Sequence, residues 1–206
     1  MGMTLRATAV AVGLVSTAPA WALPVDYVFT GTGSGTVSRE ANGTTEVIDN
    51  LSDLPFTLLV RADTADIDTT SDVRFTFVQG ELSLSLDNSP FVDDDEPAFV
   101  VLDTANNRIG QFDAEYRFGE GFFNDAAVPA LAGYDLSTSL GPIAGLTSEP
   151  FRSTEILNVI YGQPVIFDGT LDFSFEAHVV PLPAALPLMV TGLGLLMGAR
   201  TLRRRA

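Results

Sequence analysis

Towards the C-terminal end of the chain, Leu171, Phe173, Phe175, Ala177 and Val179 occupy every second position, with Asp172, Ser174, Glu176 and His178 between them. A period of two sends alternate side chains to opposite faces of an extended strand, and a helix cannot gather such a set on one side. The same pattern recurs where Val73, Phe75 and Phe77 alternate with Arg74 and Thr76, where Leu82, Leu84 and Leu86 alternate with Ser83 and Ser85, and where Ala114, Tyr116 and Phe118 alternate with Glu115 and Arg117. Gln79-Gly80 between the first two of these predicts a short turn, making Val73 to Leu86 a β-hairpin. Further strands are expected at Val25 to Thr30, Pro55 to Val60, Ala98 to Leu102, Tyr134 to Leu140, Ile156 to Ile160 and Val165 to Phe167, separated by clusters of Gly, Pro, Asn and Asp. Short strands with one apolar and one polar face must pack sheet on sheet or close on themselves. The expected fold is therefore all-β, an antiparallel β-sandwich of jelly-roll type, with a barrel as the alternative.

The two ends depart from this pattern. Arg6 supplies a positive start, Ala7 to Val15 an apolar stretch, and Ala20-Trp21-Ala22 a small-residue cleavage site. These are the three parts of a secretory signal peptide, here residues 1–22, which signal peptidase would remove to leave Leu23 first; Ala18-Pro19-Ala20 offers a second site. At the other end Leu182 to Ala199 is uncharged and, as a helix, about 27 Å long, close to a bilayer's hydrocarbon thickness. Arg200, Arg203, Arg204 and Arg205 follow it and belong on the cytoplasmic side by the positive-inside bias. Hydropathy alone fits an ordinary C-terminal anchor as well as a sorting signal.

The string Val180-Pro181-Leu182-Pro183-Ala184, followed by a short apolar segment of about 182–199 and an Arg-rich end at 200–205, resembles the PEP-CTERM family of bacterial sorting signals in its VPLPA-type variant. The resemblance covers residues 180–206 only. It implies recognition by an exosortase, a membrane-embedded cysteine transpeptidase-like enzyme, which would cut near the Pro-containing motif. It also implies a Gram-negative-type envelope, an inner-membrane intermediate, a final place at the cell surface or outside the cell, and often an extracellular polysaccharide context. Proline suits such a site because it fixes φ and discourages helix in the residue before it, here Val180 and Leu182.

Residues 23–179 are then one domain, large enough to bury a core unaided. The chain has no Cys and no Lys, so disulfides, thiol nucleophiles and thiolate metal sites are excluded. All 26 acidic residues lie between Asp26 and Glu176 against six arginines, a net −20 with His178 neutral. Such a charge repels nucleic acid and attracts divalent cations.

Candidate chemistry inside the domain is sparse. Asp93, Asp94, Asp95 and Glu96, between Pro90 and Pro97, are four carboxylates expected in a loop, where oxygen ligands suit Ca²⁺, although the spacing is not that of an EF-hand. Asp63, Asp66, Asp68 and Asp72 form a second acidic stretch that could supply ligands only if its loop folds back. Asp113, Glu115 and Glu120 are the available carboxylates for glycosidase-type chemistry, and the surface reading of them is the stronger. His178 is the only histidine, on a polar strand face, which argues against a His-based triad or a multi-His metal site. Gly31-Thr32-Gly33-Ser34-Gly35 lacks the strand-to-helix context of a phosphate loop and reads as a bulge or strand end. Phe112, Phe118, Phe122 and Phe123 read as core before they read as a sugar platform. No cofactor is expected. The expected function is an exported surface or extracellular-matrix protein with a structural or adhesive domain and no catalysis; the alternative is a glycan-binding module or glycan-acting enzyme delivered by the same tail.

Overall fold

A computed structural model describes residues 22–69, 74–87, 89–113, 121–153, 157, 161 and 164–181. The strands are β1 (Pro24–Ala41), β2 (Thr44–Asp68), β3 (Phe75–Leu86), β4 (Val92–Asp103), β5 (Arg108–Asp113), β6 (Gly121–Phe123), β7 (Leu140–Thr147), β8 (Phe151–Ser153) and β9 (Ile166–Val179), with one short 3₁₀ turn at Pro129–Leu131. All pair antiparallel in one sheet of order β6-β5-β4-β3-β2-β1-β9-β7, with β8 also on β9. The all-β, antiparallel expectation is met.

The sheet curls strongly. Strands lie about 4.8 Å apart, so β6 and β1, five strands apart in the order, would be more than 20 Å apart if it were flat. Instead the rings of Phe29 on β1 and Phe122 on β6 meet at 5.6 Å, and Phe122 also meets Phe173 on β9 at 5.3 Å. Beyond β6 and β7 the two edges touch: Asn124 bridges Ser148, the Asp125 amide donates to the Thr147 carbonyl at 2.8 Å, and the Glu149 amide donates to the Phe123 carbonyl at 3.1 Å. The result is a half-barrel whose concave face holds the core.

Alternation decides which residues enter that core. Val25, Tyr27 and Phe29 of β1, Leu58 and Val60 of β2, Val100 and Leu102 of β4, and Phe173, Phe175 and Ala177 of β9 are all buried. Asp172, Glu176 and His178 face outward, as expected for β9. At one pole the core is plugged by the 3₁₀ turn and the segment after it: Leu131 and Leu136 are buried, and the Tyr27 hydroxyl donates to the Leu136 carbonyl at 2.6 Å. Desolvation, with Tyr134 and Asp135 nearby, raises the Tyr27 pKa well above the ordinary phenol value. A second, smaller cluster of Val37, Leu157, Val165 and Phe167 closes the other pole.

Several expectations are corrected. Gln79-Gly80 is not a turn: β3 runs through it, paired with β2 on one side and β4 on the other. Because the strand is unbroken, Thr76, Val78, Leu82 and Leu84 share the buried side, and Phe75 and Phe77 fall on the convex one. Val78, not its aromatic neighbours, faces the core. Tyr134 to Ser139 is not a strand; Leu136 takes a φ of 66°, which breaks extension and aims the backbone carbonyl at Tyr27. The Asp93-to-Glu96 run is not a loop but part of β4, at a register break in its pairing with β3, where Glu81 faces Pro97 and Ser83 faces Asp93. The glycine-rich stretch is a bulge, as expected, lying between Gly33 and Gly35 inside β1. The strands expected at Ala114 to Phe118 and Ile156 to Ile160 lie outside the described residues, apart from Leu157.

Candidate functional site

Two places gather chemistry, and both lie near one pole. The first is where the chain enters and leaves the sheet. β1 and β9 pair along their whole overlap, with Val25 opposite Val179. The Val180 amide donates to the Pro24 carbonyl at 2.8 Å, and the Val179 amide to Ser139 Oγ at 2.9 Å. On the other side of β1, the Leu23 amide donates to Thr64 Oγ1 and the Thr64 amide to the Leu23 carbonyl, both at 2.9 Å. Leu23 and Val180, the residues flanking the two expected processing sites, therefore stand side by side. Proline has no amide hydrogen, so the ladder cannot extend into Pro181 by donation from it. Ala20, Leu182 to Ala184, the apolar segment at 182–199 and the arginines from 200 to 205 lie outside the described residues. Among the described residues no helix is long and apolar enough to cross a membrane.

The second place is a groove of about 720 Å³ on the convex face, over β2, β3 and β4. Its origin is a bulge: Ala62 faces Gly80 and Ile67 faces Val78, so residues 63–66 loop out opposite the single residue Gln79. The Asp63 carboxylate stabilises that loop by accepting the Ala65 amide at 2.8 Å. The second acidic stretch thus does fold back, and Asp63, Asp66 and Asp68 line the groove with Glu81. Its aromatic wall is Phe77 and Phe99, packed edge to face at 5.9 Å. Arg61 also lines it, with Nε 3.9 Å from Asp26 on β1.

Phe77 and Phe99 begin a longer row. Phe99 faces Phe112 across β4 and β5; Phe112 meets Phe123 at 4.9 Å, and Phe123 stacks on Phe75 at 6.2 Å. These five rings are half-buried on the convex face and cover Val101, which is 5% exposed. Of the aromatic group considered in the sequence, Phe122 is core, Phe112 and Phe123 belong to this outer row, and Phe118 lies outside the described residues. Strand parity could have placed the row, since Phe99 and Phe112 alternate with the core residues Val100 and Ile109; the misplaced turn at Gly80 hid it.

At the far end of the row sits a carboxylate network. Asp103 is fully buried and accepts from Arg74 Nη2 at 2.7 Å, from the Asn106 amide at 3.1 Å and from Asn106 Nδ2 at 2.8 Å. Burial alone would raise its pKa, but the bonds from Arg74 and Asn106 outweigh that and hold it below the ordinary carboxylate range.

The remaining candidates stay dispersed. Asp93 accepts from Ser83 Oγ at 2.7 Å; the side chains of Asp94, Asp95, Glu96 and Asp113 are not described, nor are Asp72, Glu115 and Glu120. Among the described residues no three His, Cys, Asp or Glu side chains come together as a metal site. His178 lies 3.3 Å from Glu176 on the exposed face of β9. An apolar cavity of about 40 Å³, lined by Leu54, Phe56, Leu84, Phe151, Phe167 and Leu171 among others, separates the two core clusters and offers a water no hydrogen-bond partner. Comparison with protein-family models, with curated proteins and with solved structures gives no match.

Proposed function

We propose that the chain is an exported surface or extracellular-matrix protein, delivered by a C-terminal VPLPA-type sorting signal and carrying a structural or adhesive β-domain without catalysis. The observation that carries the reading is the pairing of β1 with β9, which sets Leu23 beside Val180. A domain held at a membrane by a leader at one end and a spanning tail at the other needs both attachments on one pole, and this topology supplies that. With strand pairing continuing to Val179, the folded domain would stand directly on the bilayer while the tail is intact. The finer architecture belongs to the same proposal: the half-barrel is flattened into two facing layers, a sandwich, supported by the Phe29–Phe122 and Phe122–Phe173 contacts across its interior. Exosortase and signal peptidase would be the processing partners, and Ca²⁺ at Asp93 to Glu96 an accessory ligand of the acidic surface.

Intact mass of the protein recovered from membrane and extracellular fractions of its native host, compared with Pro181→Ala/Pro183→Ala, tests this. The expected outcome is a species that starts at Leu23 and ends within Val180 to Ala184, lost in the variant. A full-length tail confined to the membrane fraction would leave a plain anchor and remove the sorting reading.

The glycan-binding alternative draws on one feature, the half-exposed row of Phe77, Phe99, Phe112 and Phe123. Aromatic faces suit sugar rings, but phenylalanine lacks the polar handle that Tyr and Trp add.

A further inference from the structure

The hairpin that joins β1 to β2 runs out past the rest of the sheet as an arm. Pairing of β1 with β9 ends at Ser38, and pairing of β2 with β3 starts only at Phe56, so among the described residues Arg39 to Ala41 and Thr44 to Leu54 pair only with the opposite strand of the arm. Arg39 and Glu46 brace it across the strands, with Arg39 Nη2 donating at 2.8 Å and Nε at 3.0 Å to one Glu46 oxygen. At its end Ala41 pairs with Thr44, leaving Asn42 and Gly43 as a two-residue turn with φ of 55° and 76°. Asn42, Gly43 and Thr44 are all exposed, and a Cβ at Gly43 would meet nothing within 4 Å.

That turn reads Asn42-Gly43-Thr44, the Asn-x-Ser/Thr triplet that accepts N-linked sugar on surface loops of exported proteins. Of the chain's seven asparagines two head such a triplet, the other being Asn50-Leu51-Ser52 on β2. The fold separates the two. Transfer needs the asparagine amide presented clear of the sheet and the hydroxyl two residues on bent back towards it, whereas an extended strand holds such positions about 6.5–7 Å apart. At Asn42 the turn already supplies the bend, and Thr44 Oγ1 is held back over it by donating to the Ala41 carbonyl at 2.8 Å. Asn50 instead lies in extended strand opposite Thr36, with its backbone amide on Asp49 Oδ1 at 2.8 Å. Leu51, the middle residue of that triplet, packs against the smaller core cluster, so bending there would pull it away.

We propose that Asn42 is a glycosylation site, carrying a saccharide on Nδ2, and that Asn50 is not. In the transfer Asn42 Nδ2 attacks the anomeric carbon of a sugar borne on a phosphate or pyrophosphate leaving group. The Nδ2–C1 bond forms, the C1–O bond to phosphate breaks with its electron pair leaving on the phosphate, and the proton lost from Nδ2 passes to a base of the transferring enzyme. This rests on the export part of the proposed function, because the triplet is read outside the cytoplasm, and it does not depend on tail processing. The location suits a bulky, hydrophilic group. β1 is 18 residues long, which at about 3.3 Å per residue sets the tip roughly 50 Å along the strand from the pole where Leu23 and Val180 meet. A sugar there displaces no packed side chain and leaves that pole clear.

The test is tryptic mapping by mass spectrometry of the protein recovered from all fractions of its native host. With no Lys in the chain, cleavage after Arg39 and Arg61 leaves both triplets in one peptide, Glu40 to Arg61, and electron-transfer fragmentation then tells Asn42 from Asn50. The expected result is a peptide heavier by at least one sugar, about 160 Da or more, with the added mass on Asn42. Thr44→Ala should abolish it and Thr44→Ser should restore it, while Asn50→Gln should leave it unchanged; circular dichroism of each variant separates loss of the sugar from loss of the fold. A bare Asn42, a gain of only the mass of deamidation, sugar on Asn50 in its place, or sugar retained in a folded Thr44→Ala variant would each overturn the proposal. The same digest reads export from its first peptide. Leu23 first with a bare Asn42 overturns this proposal alone, a retained leader with sugar on Asn42 overturns leader removal alone, and a retained leader with a bare Asn42 overturns both.

Discussion

Replacing Tyr27 by Phe deletes one oxygen and isolates one interaction. The hydroxyl donates to the Leu136 carbonyl at 2.6 Å, and both residues are completely buried. Without it the carbonyl loses its donor in a place water does not reach, while the ring keeps its stacking at 6.4 Å on Phe175. An orphaned buried acceptor costs about 1–3 kcal/mol, offset in part because the variant no longer buries a hydroxyl, so the net expectation is about 1.5 kcal/mol. For a domain of this size each kcal/mol is worth about 2–4 °C, which puts the melting temperature about 3–6 °C lower. Thermal unfolding followed by circular dichroism at pH 7 reads this directly, with Tyr134→Phe as the control: its hydroxyl donates to the Thr138 carbonyl at 3.0 Å in an exposed setting and should cost under about 0.5 kcal/mol. Amide exchange should quicken at Leu131 to Ser139 in the Tyr27 variant, because that hydroxyl ties the plug to β1. A shift below about 1 °C would refute the reasoning, since the Leu136 carbonyl would then have another partner or the plug would move to find one.

Two further outcomes follow from the same structure. Asp103 has its pKa lowered in the fold, so its contribution is complete above the unfolded carboxylate value near 3.9 and is lost as pH falls through the folded value. Asp103→Asn should therefore lower the melting temperature by about 4–8 °C at pH 7, corresponding to about 2 kcal/mol for bonds to a charged group, and the gap to the parent should narrow below pH 4; a gap independent of pH would exclude the ionised network as its cause. Gly31→Ala sets a methyl 2.0 Å from the Asp172 carbonyl oxygen, a collision with the backbone of β9 that no side-chain rotation can relieve. It should cost at least about 2 kcal/mol and expose the Leu23 and Val180 pole to limited proteolysis, whereas Gly141→Ala, with nothing within 4 Å, should be near neutral in the same digest.

The chain by itself determined its class and its most regular strand. Alternation in β9 is carried by Leu171, Phe173, Phe175 and Ala177, each buried, and a period of two has only one structural solution. It also carried the bulge at Gly33 to Gly35 and the end of the last strand at Val179. The Asn42-Gly43 pair held a further signal, a two-residue turn with φ of 55° and 76° joining β1 to β2, which hydrophobic periodicity misses because the turn lies between polar stretches. What only the tertiary structure decided is everything that depends on which strands meet. Gly80 sits within a strand because β2 and β4 both pair through it, and Phe75, Phe77 and Phe99 lie outside because that unbroken strand fixes their parity. The groove exists because four residues of β2 loop out against one of β3, a mismatch of register that no single segment contains. Local pattern follows from backbone geometry within one strand; register, curl and the company each face keeps follow from the contacts between strands, which lie far apart in the chain.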